Sequence, residues 1–504
     1  MIKITFVYPD FESLGVAYLM AICLKNGYEV DFVYYQAEDI SLNKREKNIS
    51  FQQIAEQIAG TYPHVVAFSC VTDNYQFQKD CAKAVKSILP KVVTIFGGIH
   101  VTAVPENVLK SHEVDCIAIG EAEISFPLFL DKCEITDGGL ILPSDSIPGI
   151  VFKKDGQIIG DFVHGELADL NVLPFPYKKP FYASLKAFSH EYKIMTSRGC
   201  PYKCSYCFNS YINEMRGKSI IRRRTVENVI AELLWAKENY SFKYVLFLDD
   251  SFTTNKEWLI EFCKQYKERI NLPFACIAIP QYIDKEKAEA LSRAGCIDMQ
   301  IGVQSISEQE ICQKILHRKS DNKKIAQTIR LLRDAGIIVQ VDHMLGVPED
   351  TLEIQEQSVL FYNQFRPNRI SVFWLTYYPK TPIIEIALQK GILSEDDVND
   401  INDGVRLTAA SSYTGGSMRD PSPYYGIAFL LNYIPLMPKW LVKFLVIKRL
   451  YRIFSIRNFL ISTAFPRALQ SIFNRKDFRG RSNMLRFINK YLRARSITGK
   501  IFKG

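Results

Sequence analysis

The run Arg198-Gly199-Cys200-Pro201-Tyr202-Lys203-Cys204-Ser205-Tyr206-Cys207 places three thiols within eight residues, while the remaining Cys of the chain are scattered. Three thiolates spaced Cys-x3-Cys-x2-Cys can wrap one [4Fe–4S] cube and ligate three of its irons. No fourth Cys lies nearby, so one iron is left open, which is what turns an electron carrier into a catalyst. A structural zinc site is the other metal reading, but zinc takes four N or S ligands and nothing local completes the set. Plain buried cysteines are the third reading. Twelve Cys in 504 residues make no disulfide scaffold, and their clustering points to a metal site in a reducing compartment. The chain runs from Met1 directly into a strand pattern without a signal peptide, so a cytoplasmic location is expected.

The triplet follows the first of a series of alternating strands and helices. Candidate strands are 192–197, 244–248, 274–279, 297–303, 337–341 and 370–374, separated by amphipathic stretches at 226–240, 258–269, 285–294, 323–335 and 352–365. Gly295 and Gly336 stand just past two of these helices, where a left-handed cap is wanted. Six units rather than eight predict a partial (β/α)6 TIM-like barrel, with its chemistry at the strand C-termini. Upstream, strand runs at 2–8, 30–35, 65–70, 92–96 and 115–119 alternate with helical stretches at 14–26, 51–60 and 76–89. They predict a doubly wound, Rossmann-like parallel sheet. Its ligand-facing loops are Pro9-Asp10-Phe11, Ser69–Thr72, Gly97-Gly98-Ile99-His100 and Gly120-Glu121-Ala122-Glu123. A hairpin turning at Asp155-Gly156 and an extended Leu173–Pro176 segment connect the two halves.

The fold class is therefore α/β: residues 1–135 the Rossmann-like domain, 136–189 a linker, 190–395 the partial barrel, and 396–504 a basic, largely helical C-terminal region. With 47% hydrophobic and 23% charged residues the chain can bury a large core, which excludes wholesale disorder and fibrous architectures.

The Cys triplet, with aromatic Tyr206 before the third Cys, resembles the radical S-adenosylmethionine (SAM) superfamily over about residues 190–395. Later matches follow in order: Phe247–Phe252, Gly302-Val303-Gln304-Ser305, Lys314–Arg318, Gly346–Thr351 and Tyr378–Pro382. The resemblance implies that Cys200, Cys204 and Cys207 hold the cluster and that SAM chelates the open iron. An electron then cleaves SAM to methionine and a 5′-deoxyadenosyl radical. It implies SAM contacts from Tyr206, Asp249, Gln304, Ser305 and Gly346. Many relatives end the fourth strand in Gly-x-Glu-Ser, whereas this chain has Gln304, which hydrogen-bonds but supplies no charge. An external one-electron reductant such as flavodoxin or ferredoxin is implied as well.

Residues 97–106 and 115–123 resemble the cobalamin-binding domain fused ahead of many such barrels. That implies cobalamin contacts from Ser69, Gly97, Gly98, His100, Gly120 and Glu121. The Asp-x-His-x-x-Gly motif that places a His beneath cobalt is absent, so cobalamin is expected base-off, with His100 near a corrin amide or phosphate. The other reading is a flavodoxin-like scaffold that has lost its ligand. The N-terminal Cys23, Cys70, Cys81, Cys116 and Cys133 form no short-spaced cluster and are expected to be buried small hydrophobes.

Residues 438–504 carry 17 Lys/Arg against one acid, Asp477, a balance of +16 that leaves −7 of the total +9 for the rest. Trp440, Phe444, Phe454 and Phe459 among many aliphatics favour a membrane surface over nucleic acid. Neither apolar stretch, 426–437 or 440–461, is long and uninterrupted enough to span a bilayer. A monotopic tail and a helical lid on the barrel mouth are the two expectations. Tyr413, Tyr424 and Tyr425 are candidate hydrogen donors. The combined expectation is a cobalamin-dependent radical SAM enzyme that methylates an unactivated carbon of a hydrophobic, lipid-like or secondary-metabolite small molecule. Radical cyclisation, ring contraction or carbon–carbon coupling without methylation is the alternative, and a non-catalytic iron–sulfur or cobalamin sensor a further one. A methylthiotransferase fits less well, because those enzymes carry three further cluster Cys.

Overall fold

The computed structural model describes residues 1–9, 11–35, 51–184, 190–408, 412, 415–454, 456, 458, 460–473, 477–481, 484 and 501–503. Asp10, Tyr413 and Phe459 lie outside them. The upstream apolar runs form five parallel strands, β1 (Lys3–Pro9), β2 (Glu29–Tyr35), β3 (Val65–Ser69), β4 (Val93–Gly97) and β5 (Cys116–Ala118), in the order 2-1-3-4-5. In register, Phe6 stands between Phe32 and Ala67. Six of the seven β1 residues are buried, as a parallel sheet covered on both faces requires.

A small hairpin of β6 (Glu134–Thr136) and β7 (Gly139–Ile141) follows. Then β8 (Ile150–Lys154) and β9 (Gln157–Ile159) extend the sheet antiparallel beyond β5. Their turn has φ +48° at Asp155 and +76° at Gly156, the left-handed pair that a tight hairpin uses.

The second sheet is all parallel and runs in chain order: β10 (Glu191–Ile194), then β13 (Tyr244–Phe247), β14 (Phe274–Ala278), β15 (Cys296–Gln304), β16 (Ile338–Leu345) and β17 (Arg369–Trp374). Between its first two strands, β11 (Ser197–Arg198) and β12 (Arg222–Arg223) make a short antiparallel ribbon. This is the expected six-stranded partial barrel. Each of its five following helices starts at a polar cap: Thr225, Asn255, Asp284, Asp321 and Thr351 accept from the third backbone N–H of their helix. Gly295 closes one helix in the left-handed region, at φ +106°. One last strand, β18 (Ile501–Lys503), pairs antiparallel with the free edge of β2.

Along β15, Met299, Ile301 and Val303 are buried in the main core, while the alternate row of Asp298, Gln300, Gly302 and Gln304 faces the opposite way, into the barrel. The interior is filled at the strand N-termini by the tail itself. Asp477 accepts from Arg369 Nη1 at 3.0 and 3.1 Å, Arg369 also pairs with Asp298, and Arg479 Nη2 donates to Gln300 at 2.5 Å. Phe478 packs on Tyr244, with ring centroids 6.3 Å apart. The single acid of the basic tail is thus a buried ion-pair partner.

Among the described residues, the apolar helices of the tail neither lie wholly on the surface nor form a lid. Helix Tyr425–Tyr433 is buried against edge strand β17, where Tyr425 lies 5.8 Å from Trp374. Helix Lys439–Ile447 packs on the flanking helix Leu352–Phe365 through Val442, Leu445 and Val446. Both helices therefore lie along the flank of the half-barrel, not across its mouth. Among the described residues no helix is long and apolar enough to cross a membrane.

Candidate cofactor-binding site

The thiol loop leaves β11 through Gly199, whose φ is +101° and where a Cβ would stand 2.1 Å from the Ile220 carbonyl oxygen. Only glycine fits, so the ribbon to β12 sets the loop's starting direction. The loop is then pinned on several sides. Ser205 N–H donates to the Leu316 carbonyl at 3.0 Å and Ser205 Oγ to the Ile315 carbonyl at 2.6 Å. Asn213 Nδ2 donates to the Cys200 carbonyl at 3.0 Å. Ser210 Oγ donates to the Cys204 and Cys207 carbonyls. All three thiols are free; Cys204 is buried, and Cys200 and Cys207 are partly buried. Arg318, which donates to the Gly302 carbonyl at 2.5 Å, reaches to 3.8 Å from Cys204 Sγ.

Burial pushes the Cys200 thiol up to about 12 and the Cys207 thiol up to about 11, so both stay protonated until a metal displaces the proton. Burial alone would lower Arg318, but Tyr206 and Cys204 beside it raise it, keeping a fixed cation next to the loop. Among the described residues no three His, Cys, Asp or Glu side chains converge on a single-ion site. Three free thiols on one loop are the donor type and number that a cube with one open iron takes.

Next to this loop a cavity of about 390 Å³ opens between the two sheets. From the N-terminal half it is lined by Ser69, Gly97, Gly98, Gly120 and Glu121, and from the barrel by Arg198, Gly199, Asn209, Arg216 and Asp250. A Cβ at Gly98, φ +97°, would meet the Cys70 carbonyl oxygen at 2.5 Å. The expected glycine-opened loops therefore do bring bare backbone to a shared cleft.

Other expected residues sit differently. His100 is buried, 3.2 Å from Thr72 Oγ1 through Nδ1 and against the Tyr75 ring, and it does not line the cavity; burial lowers it to about 4. The residue expected on a ligand-facing loop stands instead in a short helix, Ile99–Ala103, packed on its neighbour. The Glu121 carboxylate is occupied by Arg198 at 2.5 Å, Arg216 at 3.0 Å and Arg222, while Arg198 also pairs with Glu123 at 2.7 Å. Burial would raise Glu121, but Arg198 and Arg222 bring it below its ordinary value. Glu121 thus joins the two halves instead of offering a free carboxylate.

Asp249 is fully buried and accepts from Thr196 N–H at 3.1 Å, Thr196 Oγ1 at 2.6 Å and Ser197 Oγ at 2.5 Å. It ties the end of β13 to the start of the thiol loop. Its neighbour Asp250 is the one on the cavity wall, where enclosure by surrounding protein raises it. The Asp249-Asp250 pair was the available signal. Ser305 turns its hydroxyl to the Ser307 N–H, leaving Gln304, at φ +70°, as the partly exposed end of β15. Gly346, at φ +75°, lies under Met418, and a Cβ there would be 3.5 Å from the sulfur. Tyr206 packs partly buried on the Ile311–Leu316 cluster. Tyr424 donates to the Asp350 carbonyl at 2.9 Å and Tyr425 is buried, so both are core residues. The five N-terminal Cys are all buried.

Residues 194–360 match the radical SAM superfamily and residues 4–130 the B12 binding domain. An uncharacterized methyltransferase of Pyrococcus horikoshii is 25% identical over 78% of this chain and 84% of its own length. The anaerobic magnesium-protoporphyrin IX monomethyl ester cyclase of Rubrivivax gelatinosus is 23% identical over 75% of this chain and 68% of its own. The solved structure of the radical S-adenosylmethionine methyltransferase TsrM from Kitasatospora setae, with cobalamin and a [4Fe–4S] cluster bound, superimposes with a TM-score of 0.61. That match has 17% identity and covers 77% of this chain and 78% of that one, a likeness of fold.

Proposed function

We propose, for this radical SAM enzyme with a B12-binding domain ahead of its barrel, methyl transfer to an unactivated carbon of a hydrophobic or secondary-metabolite substrate. A [4Fe–4S] cluster with SAM supplies a 5′-deoxyadenosyl radical, and cobalamin supplies methyl-transfer chemistry. The observation that carries the reading is the cavity of about 390 Å³ that the N-terminal glycine loops share with Arg198 and Gly199 at the start of the thiol loop, which would set a corrin beside the loop that holds the cluster.

Cys200, Cys204 and Cys207 are assigned the cluster. Tyr206, Gln304, Ser305 through its backbone and Gly346 would contact SAM, as the resemblance implies, with Asp249 positioning the loop through Thr196 and Ser197. Ser69, Gly97, Gly98 and Gly120 would offer backbone to the corrin, and cobalamin would supply the methyl-transfer chemistry there. Arg318 keeps positive charge beside Cys204, and the Glu121–Arg198–Arg216–Arg222 group holds the cavity's two walls together.

A second reading, radical cyclisation or carbon–carbon coupling without methylation, is favoured by the cyclase among the relatives. An anaerobic assay under dithionite separates them. S-adenosylhomocysteine and 5′-deoxyadenosine in comparable amounts support methyl transfer, and 5′-deoxyadenosine alone supports the second reading. The absence of both products would indicate a sensor. The same reading includes a flavodoxin- or ferredoxin-type reductant and a peripheral contact of the 438–504 region with a membrane.

A further inference from the structure

The outward face of helix Lys439–Ile447 inverts the usual pattern of a surface helix. Its inner face buries Val442, Leu445 and Val446 against the helix Leu352–Phe365. Its outer face should then be polar, yet it presents Trp440, Phe444 and Ile447, four and three residues apart, at 70%, 47% and 61% exposure. Lys443 and Lys448 flank this stripe, and Lys439 stands at its start, all exposed. The following turn adds Ile453, 72% exposed, and Arg452. Solvated apolar stripes of this kind on a soluble surface mark a contact.

We infer that this face, Trp440–Phe444–Ile447 with Lys439, Lys443 and Lys448, docks on an anionic lipid bilayer, with the aromatic and aliphatic tips entering the headgroup boundary and the lysines meeting lipid phosphates. It narrows the proposed peripheral contact to one helix face and does not depend on methyl transfer. Charge selects this occupant. Residues 438–476 contain no acid. The neighbouring Glu353 and Glu356 are engaged by Arg449, at 3.2 Å each. A second copy of the chain would bring the same lysines face to face, which opposes self-association through this surface. A bilayer accepts both features at once, since amphipathic helices rich in Lys and Trp lie at the interface and each basic residue adds to binding.

Truncating the tail is not a usable test, because Asp477 and Arg479 sit inside the barrel. Full-length protein is instead sedimented with phosphatidylcholine vesicles and with mixed phosphatidylcholine–phosphatidylglycerol vesicles, at low and high salt. Binding is expected to the anionic vesicles and to weaken with salt. Lys439→Ala/Lys443→Ala/Lys448→Ala removes three charges and lowers partitioning about 100-fold. Trp440→Ser/Phe444→Ser lowers it about tenfold or more at either salt. Both variants keep SAM cleavage and a melting temperature close to wild type, since the one hydrogen bond these side chains lose among the described residues, Lys439 Nζ to the Gln364 carbonyl at 3.2 Å, is solvent-exposed. Equal binding to neutral and anionic vesicles, or anionic binding that neither variant reduces, overturns the inference. So does a monomer that ignores vesicles, which would leave an acidic protein as the partner. Dimerisation abolished by Trp440→Ser/Phe444→Ser overturns it in favour of a subunit interface.

Discussion

Replacing Asp477 by Ala tests whether the tail closes the barrel from below. Four side chains meet there: Asp298, Asp477, Arg369 and Arg479, with side-chain exposures of 1%, 3%, 7% and 15%. Two acids pair with two arginines, and Arg467 adds further positive charge near Arg369. Burial lowers Arg369 to about 10, and Asp477 is the main neighbour that offsets it. Asp477 also accepts from Ser471 Oγ at 2.8 Å and Gly480 N–H at 2.7 Å. Removing its carboxylate therefore leaves an uncompensated positive charge in a nearly dry site. Breaking such a pair from one side costs ~3–5 kcal/mol. Arg479 retains some water, so the lower end applies, about 3 kcal/mol or roughly a hundredfold in the local opening constant. Hydrogen exchange read by mass spectrometry should show that acceleration in peptides spanning β15 and β17, with peptides from β1–β5 unchanged as the internal control. Arg369→Met added to Asp477→Ala leaves the neutral Asp298–Arg479 pair. The double variant should then be less destabilised than the sum of the singles by ~1–3 kcal/mol. Wild-type exchange in Asp477→Ala, or strict additivity in the double variant, refutes the plug.

Cys204→Ala should abolish SAM cleavage while the far-ultraviolet spectrum and melting stay native, because the thiol loop lies outside the packed strands; full cleavage would remove Cys204 from the cluster set. Electron paramagnetic resonance of bound cob(II)alamin should show no nitrogen superhyperfine splitting from an axial ligand, since His100 is held by Thr72 away from the cavity; such splitting would contradict the base-off arrangement. Two buried groups linked through Gln355 should give opposite pH slopes of stability. Burial lowers His343 to about 4, so its contribution is lost as pH falls from about 6.5 to 4. Burial raises Asp350 to about 7, so its contribution is lost as pH rises from about 4 to 7. Melting curves of His343→Gln should therefore fall with rising pH in that window and those of Asp350→Asn with falling pH, each by up to ~1.4 kcal/mol per unit; parallel profiles in the two variants would show that neither group titrates as placed.

What the residues determined by themselves was local. Cys-x3-Cys-x2-Cys sets the cluster chemistry because three donors so close in the chain can reach one cube wherever the loop lies. The alternation of β-branched runs with 3.6-period stretches specifies two parallel sheets, and the observed strands depart from those expected by a few residues at their ends. The hairpin at Asp155-Gly156 and the helix stop at Gly295 were equally legible, since each needs only its own backbone conformation.

The partners of side chains across long stretches of chain were decided only by the tertiary structure. Asp249 and Asp250 are adjacent and chemically identical, yet one is tied to Thr196 and Ser197 and the other faces the cavity, because the chain turns just past the end of β13 and sends the two carboxylates to different neighbours. Glu121 meets arginines 77 to 101 positions away, so its loop looks like a ligand site until the barrel docks on it. The tail shows the same limit most clearly. Its composition announces a basic, apolar surface, but composition sums charge without position. Folding sends Asp477 and Arg479 into the barrel and leaves Trp440, Phe444 and Ile447 outside, because burial is allotted by which faces meet, and periodicity within one helix does not say what the other face will find.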